Sequence, residues 1–277
     1  MIAEWPLSLL IVGCGNMGGA MLAGWLAGGF NPARVTVVDP VLANVPEGVT
    51  LLRELPASKV HGAVLLGIKP QMIGELAPAL APHTKGTTLF SMLAGVELAT
   101  LVRLFPKANG HVRIMPNLAA AIGKSPICLV GRFPQENEPD SYTRTPLDEL
   151  VTALMEPLGT PLWIEESLFD AVTALTGSGP AFVYRFIDAL AGAASGLGMD
   201  EGQARALAVA MTEGAALLAA SSPLAPGELA DRVASPGGTT RAGLDVLDKN
   251  GALAGLMADT LRAASERSAE MARDSAA

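Results

Sequence analysis

The sequence predicts an α/β protein, with a mostly parallel sheet in the N-terminal part and an all-α region after it. Three observations predict this. Short apolar runs alternate with helical patterns as far as Ile164, a glycine-rich turn joins the first run to the first helix, and no strand pattern recurs from Glu165 onward. Strands alternating with helices are the mark of βαβ units. The length of 277 residues suits two domains, taken here as 1–164 and 165–277.

The first element is Leu9–Val12, a continuous apolar run of the kind found in strands buried on both faces. It lies in a stretch from Pro6 to Ala33 without Asp, Glu, Lys or Arg. That length would allow a membrane span, but seven glycines fall between Leu7 and Phe30, and Gly13-Cys14-Gly15-Asn16 is a turn. A signal peptide opens on a basic region, whereas the first charge here is Glu4, so none is expected. A helix of small residues, Met17–Ala27, follows the turn.

The turn reads Gly13-x-Gly15-x-x-Gly18, with Asn16 and Met17 between the last two glycines. In the dinucleotide fingerprint the first glycine makes the turn, the second admits a pyrophosphate and the third lets helix and strand pack closely. The phosphates then meet the unpaired N–H groups of the helix start. Val35–Val38 reads as the second strand and ends at Asp39, about 20 residues beyond the last glycine, where an acid can bind a ribose hydroxyl. Strand, turn, helix, strand and acid in this order predict a Rossmann-type dinucleotide-binding domain.

Further strands are expected at Ala63–Ile68, Thr87–Leu93, Val112–Met115 and Ile127–Val130, with helices at Pro70–Leu80 and Glu97–Leu104. Ligands on such sheets collect at the carboxyl ends of the strands. Gly67-Ile68-Lys69-Pro70, Met92-Leu93-Ala94 and Asn117 stand there, and Lys69 is a charge at the end of an apolar strand, suited to a cofactor ribose or phosphate. Phe133–Thr145 reads as a polar loop, Pro146–Glu156 as a helix and Pro161–Ile164 as a short strand closing the first domain.

The second domain reads as helices at Ser167–Leu175, Ala181–Gly196, Asp200–Ala220, Ala225–Ala234, Thr240–Lys249 and Ala252–Asp274. Between Ala181 and Ser221 the only charges are Arg185, Asp188, Asp200, Glu201, Arg205 and Glu213. Helices apolar on most faces are buried, and this domain offers too little interior for them, so a homodimer through it is expected. The recurring charges and the lack of an 18-residue apolar run argue against a membrane. A net charge of −8 argues against nucleic acid. The two cysteines, Cys14 and Cys128, form no framework or metal motif, which suits a reducing cytoplasm. Cys14 reads as a packing residue.

Two glycine-rich turns precede helices in this domain, Thr176-Gly177-Ser178-Gly179-Pro180 and Ser235-Pro236-Gly237-Gly238-Thr239-Thr240. Each brings backbone N–H groups and small hydroxyls without bulk, a way to hold a carboxylate. The hydroxyls of Ser178, Thr239 and Thr240 could equally cap the helices. Acid–base groups are scarce. All three histidines lie in the first half, and the second domain has one lysine, Lys249, and one tyrosine, Tyr184. Reducing an alcohol or ketone couple calls for a strong acid or base. An imine nitrogen is basic enough to need only orientation and a hydroxyl. Motifs for metal or phosphoryl chemistry are lacking, so no metal is expected.

Taken in order, GCGNMG, GIKPQ, AGV, RIMPN, FDAVTALTGSGPAF and ELADRVASPGGTTRAGLDVL resemble the motifs of pyrroline-5-carboxylate reductase over nearly the whole chain. The resemblance implies a Rossmann domain, an interleaved dimerisation domain and rings of dimers. It implies hydride transfer from NADPH or NADH to C5 of 1-pyrroline-5-carboxylate, giving L-proline. It assigns Gly13–Gly18 to the pyrophosphate, Gly67–Pro70 and Met92–Ala94 to the cofactor, and Asn117 to the nicotinamide side. Ser178, Gly179, Pro180, Ser235, Gly237, Gly238, Thr239 and Thr240 fall to the substrate, with Thr240 against the imine nitrogen. Two positions depart from the family. Leu118-Ala119 replaces the usual Thr-Pro after Met-Pro-Asn, and no Arg or Ser is expected beside Asp39 to hold a 2′-phosphate, so NADH is expected to serve at least as well as NADPH. A 3-hydroxyacid-type dehydrogenase would want a lysine between Trp163 and Asp248, where there is none. A nucleotide-binding regulator would need no second ligand pocket.

Overall fold

The computed structural model describes residues 8–57, 61–133 and 146–276. Most of the expected polar loop, residues 134–145, lies outside them. Two compact units emerge: residues 1–177 with 264–277, and residues 178–263. The expected division stood at 164/165.

The first unit is built on an eight-stranded sheet. In chain order its strands are β1 (Leu9–Val12), β2 (Val35–Val38), β3 (Thr50–Leu52), β4 (Ala63–Leu66), β5 (Thr88–Ser91), β6 (Gly110–Met115), β7 (Ser125–Arg132) and β8 (Gly159–Trp163). Their spatial order is β3-β2-β1-β4-β5-β6-β7-β8. The first six in this order, β3 to β6, run parallel, as in doubly wound nucleotide-binding sheets. β7 turns antiparallel to β6, and β8 runs parallel to β7. β3 was not expected from sequence. It has three residues, partly exposed, at the sheet edge.

Strands β1, β2, β4 and β5 are buried at every position, because helices cover both faces. On one face α1 (Asn16–Ala27) packs Met21, Leu22 and Trp25 against Leu9, Ile11 and Val37. On the other, α2 (Ile73–Thr84) and α3 (Leu98–Leu104) place Leu80 and Leu101 against Leu10, Val64 and Leu89. α2 begins after a short 3-10 turn, Pro70–Met72, and runs through Pro78 and Pro82, four residues beyond its expected end. α4 (Pro146–Met155) leads into β8. α5 (Phe169–Val172) then passes into a π-helical turn, Thr173–Gly177.

The second unit is helical. α6 (Gly179–Gly196) and α7 (Glu201–Ser221) pair along a seam whose buried residues are Ala191, Ala204 and Ala208. Asp200 caps α7 by accepting the Gln203 N–H at 3.1 Å. α8 (Pro226–Val233), α9 (Thr239–Leu247) and the start of α10 (Ala252–Ala276) complete the unit, and α10 from Ala264 onward belongs to the first. By length and composition α7, among the described residues, is apolar enough to cross a membrane, with a mean hydropathy of 1.2, although Glu201, Arg205 and Glu213 recur along it as expected.

Candidate active site

The parallel register brings the ends of β1, β2 and β4 level, pairing Val12 with Val38 and with Leu66. Gly13, Asp39 and Gly67 therefore leave the sheet side by side, followed along the same edge by Met92 after β5 and Asn117 after β6. Every cofactor position expected from sequence lies at this carboxyl edge.

The three glycines of the turn do different work. Gly13 has φ +82°, and a Cβ there would lie 2.9 Å from the Gly67 carbonyl and the Ile68 nitrogen. A Cβ on Gly67 would in turn strike the Gly13 carbonyl oxygen. Gly18 is packed on Gly13 O, 3.1 Å from where its Cβ would be, which sets α1 close to β1. Gly15 differs: nothing lies within 4 Å of its would-be Cβ. It precedes a helix with no side-chain cap and no acid in its first turn. That open, uncapped start fits a pyrophosphate.

Asp39 is buried, and its carboxylate is committed to the backbone. Oδ2 accepts the Cys14 N–H, and Oδ1 accepts those of Val41 and Leu42, each at 2.9 Å. Burial alone would raise its pKa, but these three donors and the Arg53 charge outweigh that and hold it below the ordinary carboxylate value. Arg53, just past β3, donates through Nη1 to the carbonyls of Asp39 at 3.0 Å and Leu42 at 2.6 Å. The expectation that no arginine stands beside Asp39 is thereby corrected: β3 brings one there from 14 residues away. Burial, then the Asp39 charge, push the Cys14 thiol up to about 11, as befits a packing residue.

Lys69 is exposed at the β4 edge. Met92 lies against Gly67, its Cε 3.0 Å from where a Cβ would be. Leu93, by contrast, is 3% exposed and packed in the core, so its side chain is not turned to a ligand. Asn117 is also spoken for. Its Oδ1 accepts the Ala119 N–H at 2.9 Å, capping the 3-10 segment Leu118–Ile122, and its Nδ2 donates to Thr176 O in the π-turn at 3.0 Å. Sequence reasoning quoted Arg113 within Arg-Ile-Met-Pro-Asn without giving it a task. It is buried, pairs with Glu166 at 2.7 Å and lies over the Phe169 ring at 3.7 Å. Glu166 also accepts the Leu98 N–H at 2.8 Å. These contacts hold β6, α3 and α5 together beneath the π-turn.

In the second unit the two expected substrate segments stand at the starts of α6 and α9. Ser178 keeps helical angles (φ −88°, ψ −27°), so Gly177–Pro180 continues a helix where an open turn was expected. Ser235–Gly238 is a true turn, and α9 begins at Thr239. Gly237 has φ +71°, and a Cβ on Gly238 would lie 2.6 Å from Ser235 Oγ. The left-handed angle at Gly237 favours glycine, while a side chain at Gly238 would have to displace the Ser235 hydroxyl. α9 starts without a side-chain cap or an acid in its first turn, and Thr239 and Thr240 occupy its first two positions, exposed. Ser178, Thr239 and Thr240, expected as possible caps, cap neither helix.

Sheet order, glycine turn and the edge of strand ends define a nucleotide-binding protein of the Rossmann class. Residues 166–271 match the family model described as pyrroline-5-carboxylate reductase dimerisation. A pyrroline-5-carboxylate reductase from Methanosarcina acetivorans is 32% identical over 276 residues, covering 95% of this chain and 97% of its own. One from Coxiella burnetii superimposes with a TM-score of 0.84 at 27% identity, over 96% of this chain and 98% of its own. A Plasmodium falciparum pyrroline carboxylate reductase, solved with NADP bound, shares the fold with a TM-score of 0.81 at 23% identity, over 96% and 98% of the two chains. The chain belongs to the pyrroline-5-carboxylate reductase family.

Proposed function

We propose that this chain reduces 1-pyrroline-5-carboxylate to L-proline, using NADPH or NADH. The observation that carries the reading is family identity of 32% running through 95% of the chain, so that it takes in both units. Gly13, Gly15, Asn16, Met17 and Gly18 hold the pyrophosphate, Asp39 closes the turn beneath the adenosine side, and Gly67–Pro70, Met92, Ala94 and Asn117 complete the wall. The bound reduced nicotinamide supplies the hydride that C5 of the imine receives. In the second unit, the N–H groups opening α9 after Gly237-Gly238 suit the substrate carboxylate, with Ser178, Gly179, Pro180, Ser235 and Thr239 alongside. The Thr240 hydroxyl orients the ring nitrogen and donates the proton that balances the hydride. An imine needs no stronger acid, and Thr240 stands where no histidine or lysine does.

The exposed apolar faces of α6 and α7 are proposed to meet a second copy rather than a membrane or nucleic acid. The dimerisation model over 166–271 supports this. A ring of dimers is the larger assembly to test by light scattering. We place the enzyme in the cytoplasm, where its two buried free thiols stay reduced.

The test is loss of reduced-nicotinamide absorbance with purified protein and 1-pyrroline-5-carboxylate, with NADH and NADPH in parallel. Substrate-dependent oxidation is expected. Its absence with both cofactors, with oxidation of other cyclic imines instead, would move the substrate assignment.

A further inference from the structure

We propose that Arg53 reads the 2′-phosphate of the dinucleotide, and that Asp39 is a brace of the glycine turn rather than the acid that rejects that phosphate. This rests on the reading of the glycine turn as a dinucleotide site.

An acid at the end of the second strand ordinarily accepts the ribose hydroxyls and repels a 2′-phosphate, whereas a nearby arginine accommodates it. Both are present here, and their hydrogen bonds decide between them. Asp39 spends three of roughly four acceptor positions on the N–H groups of Cys14, Val41 and Leu42. It ties the turn after β1 to the loop after β2 and is only 7% exposed.

Arg53 is placed differently. β2 and β3 pair in parallel with Val38 opposite Leu52, so the residues that follow, Asp39 and Arg53, leave adjacent strand ends. The Asp39 N–H donates to Leu52 O at 3.0 Å, which fixes the pair. A guanidinium carries five N–H donors. The two bonds from Nη1 to Asp39 O and Leu42 O hold the group against the loop while Nη2 and Nε have no bond among the described residues. The arginine is thus exposed, anchored at one nitrogen and open at the others, on the ligand edge of the sheet. Its positive charge offsets the Asp39 carboxylate in the same loop. A planar guanidinium with free donors matches a phosphate bidentately.

The experiment is isothermal titration calorimetry of NADP+ and NAD+ binding to the purified full-length protein, with Arg53→Ala and Arg53→Gln alongside. Glutamine keeps a donor for the Asp39 and Leu42 carbonyls but has no charge, which separates holding the loop from holding a phosphate. Wild type is expected to bind NADP+ at least as tightly as NAD+. Both variants are expected to lose NADP+ affinity by about tenfold or more, as for a charge-assisted hydrogen bond, and to keep NAD+ affinity. Equal loss of both dinucleotides, or retention of NADP+ affinity in Arg53→Gln, would overturn the assignment. If wild type bound neither dinucleotide, the reading of the glycine turn would fall, and this inference with it. Adenosine 2′,5′-bisphosphate against 5′-AMP repeats the comparison on the phosphate alone.

Discussion

The sheet unit and the helical unit solve the problem of burial in opposite ways. In the first, Trp25, Phe90, Phe105, Leu10 and Leu65 are almost wholly enclosed, and two apolar clusters fill the two faces of one sheet. In the second, the buried core consists of Ala191, Ala204 and Ala208, while Tyr184, Leu207, Met211, Leu217 and Leu218 stand in solvent. Leu217 and Leu218 are 56% and 59% exposed in a single chain. One unit is closed around its own residues. The other is half of a core, and α7, apolar enough to pass for a membrane helix, is where that shows most. On the proposed function the division extends to chemistry, since the glycine turn lies in the closed unit and the Thr240 turn in the unfinished one.

The strongest way to break this comparison is Thr240→Ala. If chemistry depends on the helical unit's hydroxyl, kcat should fall by about 10²–10⁴, as for loss of a positioned proton donor, with the affinity for NADPH unchanged. An unaltered rate would return the chemistry to the sheet unit. A charge on the open face comes next. Leu218→Glu should weaken the proposed dimer by about 2 kcal/mol or more, the cost of burying an unpaired polar group. Light scattering would show monomer at concentrations where wild type is dimeric, while nucleotide binding by the sheet unit persists. Retained dimer would place the interface elsewhere.

A smaller effect sharpens the link between site and scaffold. Asn117→Ala leaves the Thr176 carbonyl and the Ala119 N–H without their partner, at a cost of about 1–3 kcal/mol. We expect a raised KM for the imine, a weakened affinity for NADPH, and no recovery with Asp, which cannot donate to Thr176 O. A uniform loss of stability with kinetics intact would make Asn117 a packing residue only.

The smallest effect is a test of the closed core by pH. His111 lies buried in β6 with Nε2 3.0 Å from Phe105 O. Burial lowers its pKa below the ordinary 6.5, the Phe105 bond opposes this and the Arg132 charge adds to it. Below that ordinary value the unfolded chain takes up a proton that the folded one refuses. Stability therefore falls as pH drops through about 6.5 and levels off below the folded pKa. Thermal melts of wild type and His111→Gln from about pH 8 to about pH 5 should show a shallower decline in the variant across the histidine range.

What the sequence made legible follows from the same contrast. The glycine turn could be read because backbone proximity demands glycine itself at Gly13 and Gly18, and no side-chain detail enters. Asp39 could be placed but not understood, since its three partners are N–H groups that every sequence possesses. β3 escaped because three half-exposed residues after Pro-Glu-Gly carry no periodicity, and with it escaped Arg53. Gly177–Pro180 looked like an open turn because glycine and proline usually punctuate, whereas the π-helical turn ends at Gly177 and α6 starts at Gly179 after Ser178 alone, which keeps helical angles. The Ser-Pro-Gly-Gly turn was read correctly as a turn, because proline and glycine adjoin there and Gly237 takes the left-handed φ that glycine favours.

The alanine seam between α6 and α7 has a consequence for time. As the chain leaves the ribosome, the sheet has all its strands once Trp163 has emerged, and most of its core can form before α10 adds its last part from Ala264 onward. The seam between α6 and α7 fully buries only alanine, with Ile187 and Leu190 half-buried beside it, so on the proposed dimer the exposed larger side chains wait for a second molecule. That wait is bimolecular. Its length is set by how many copies a cell makes, and during it α7 displays the surface that chaperones and proteases recognise. The abundance of this enzyme is thereby expected to depend on its own rate of synthesis more steeply than that of a protein closed like its first unit.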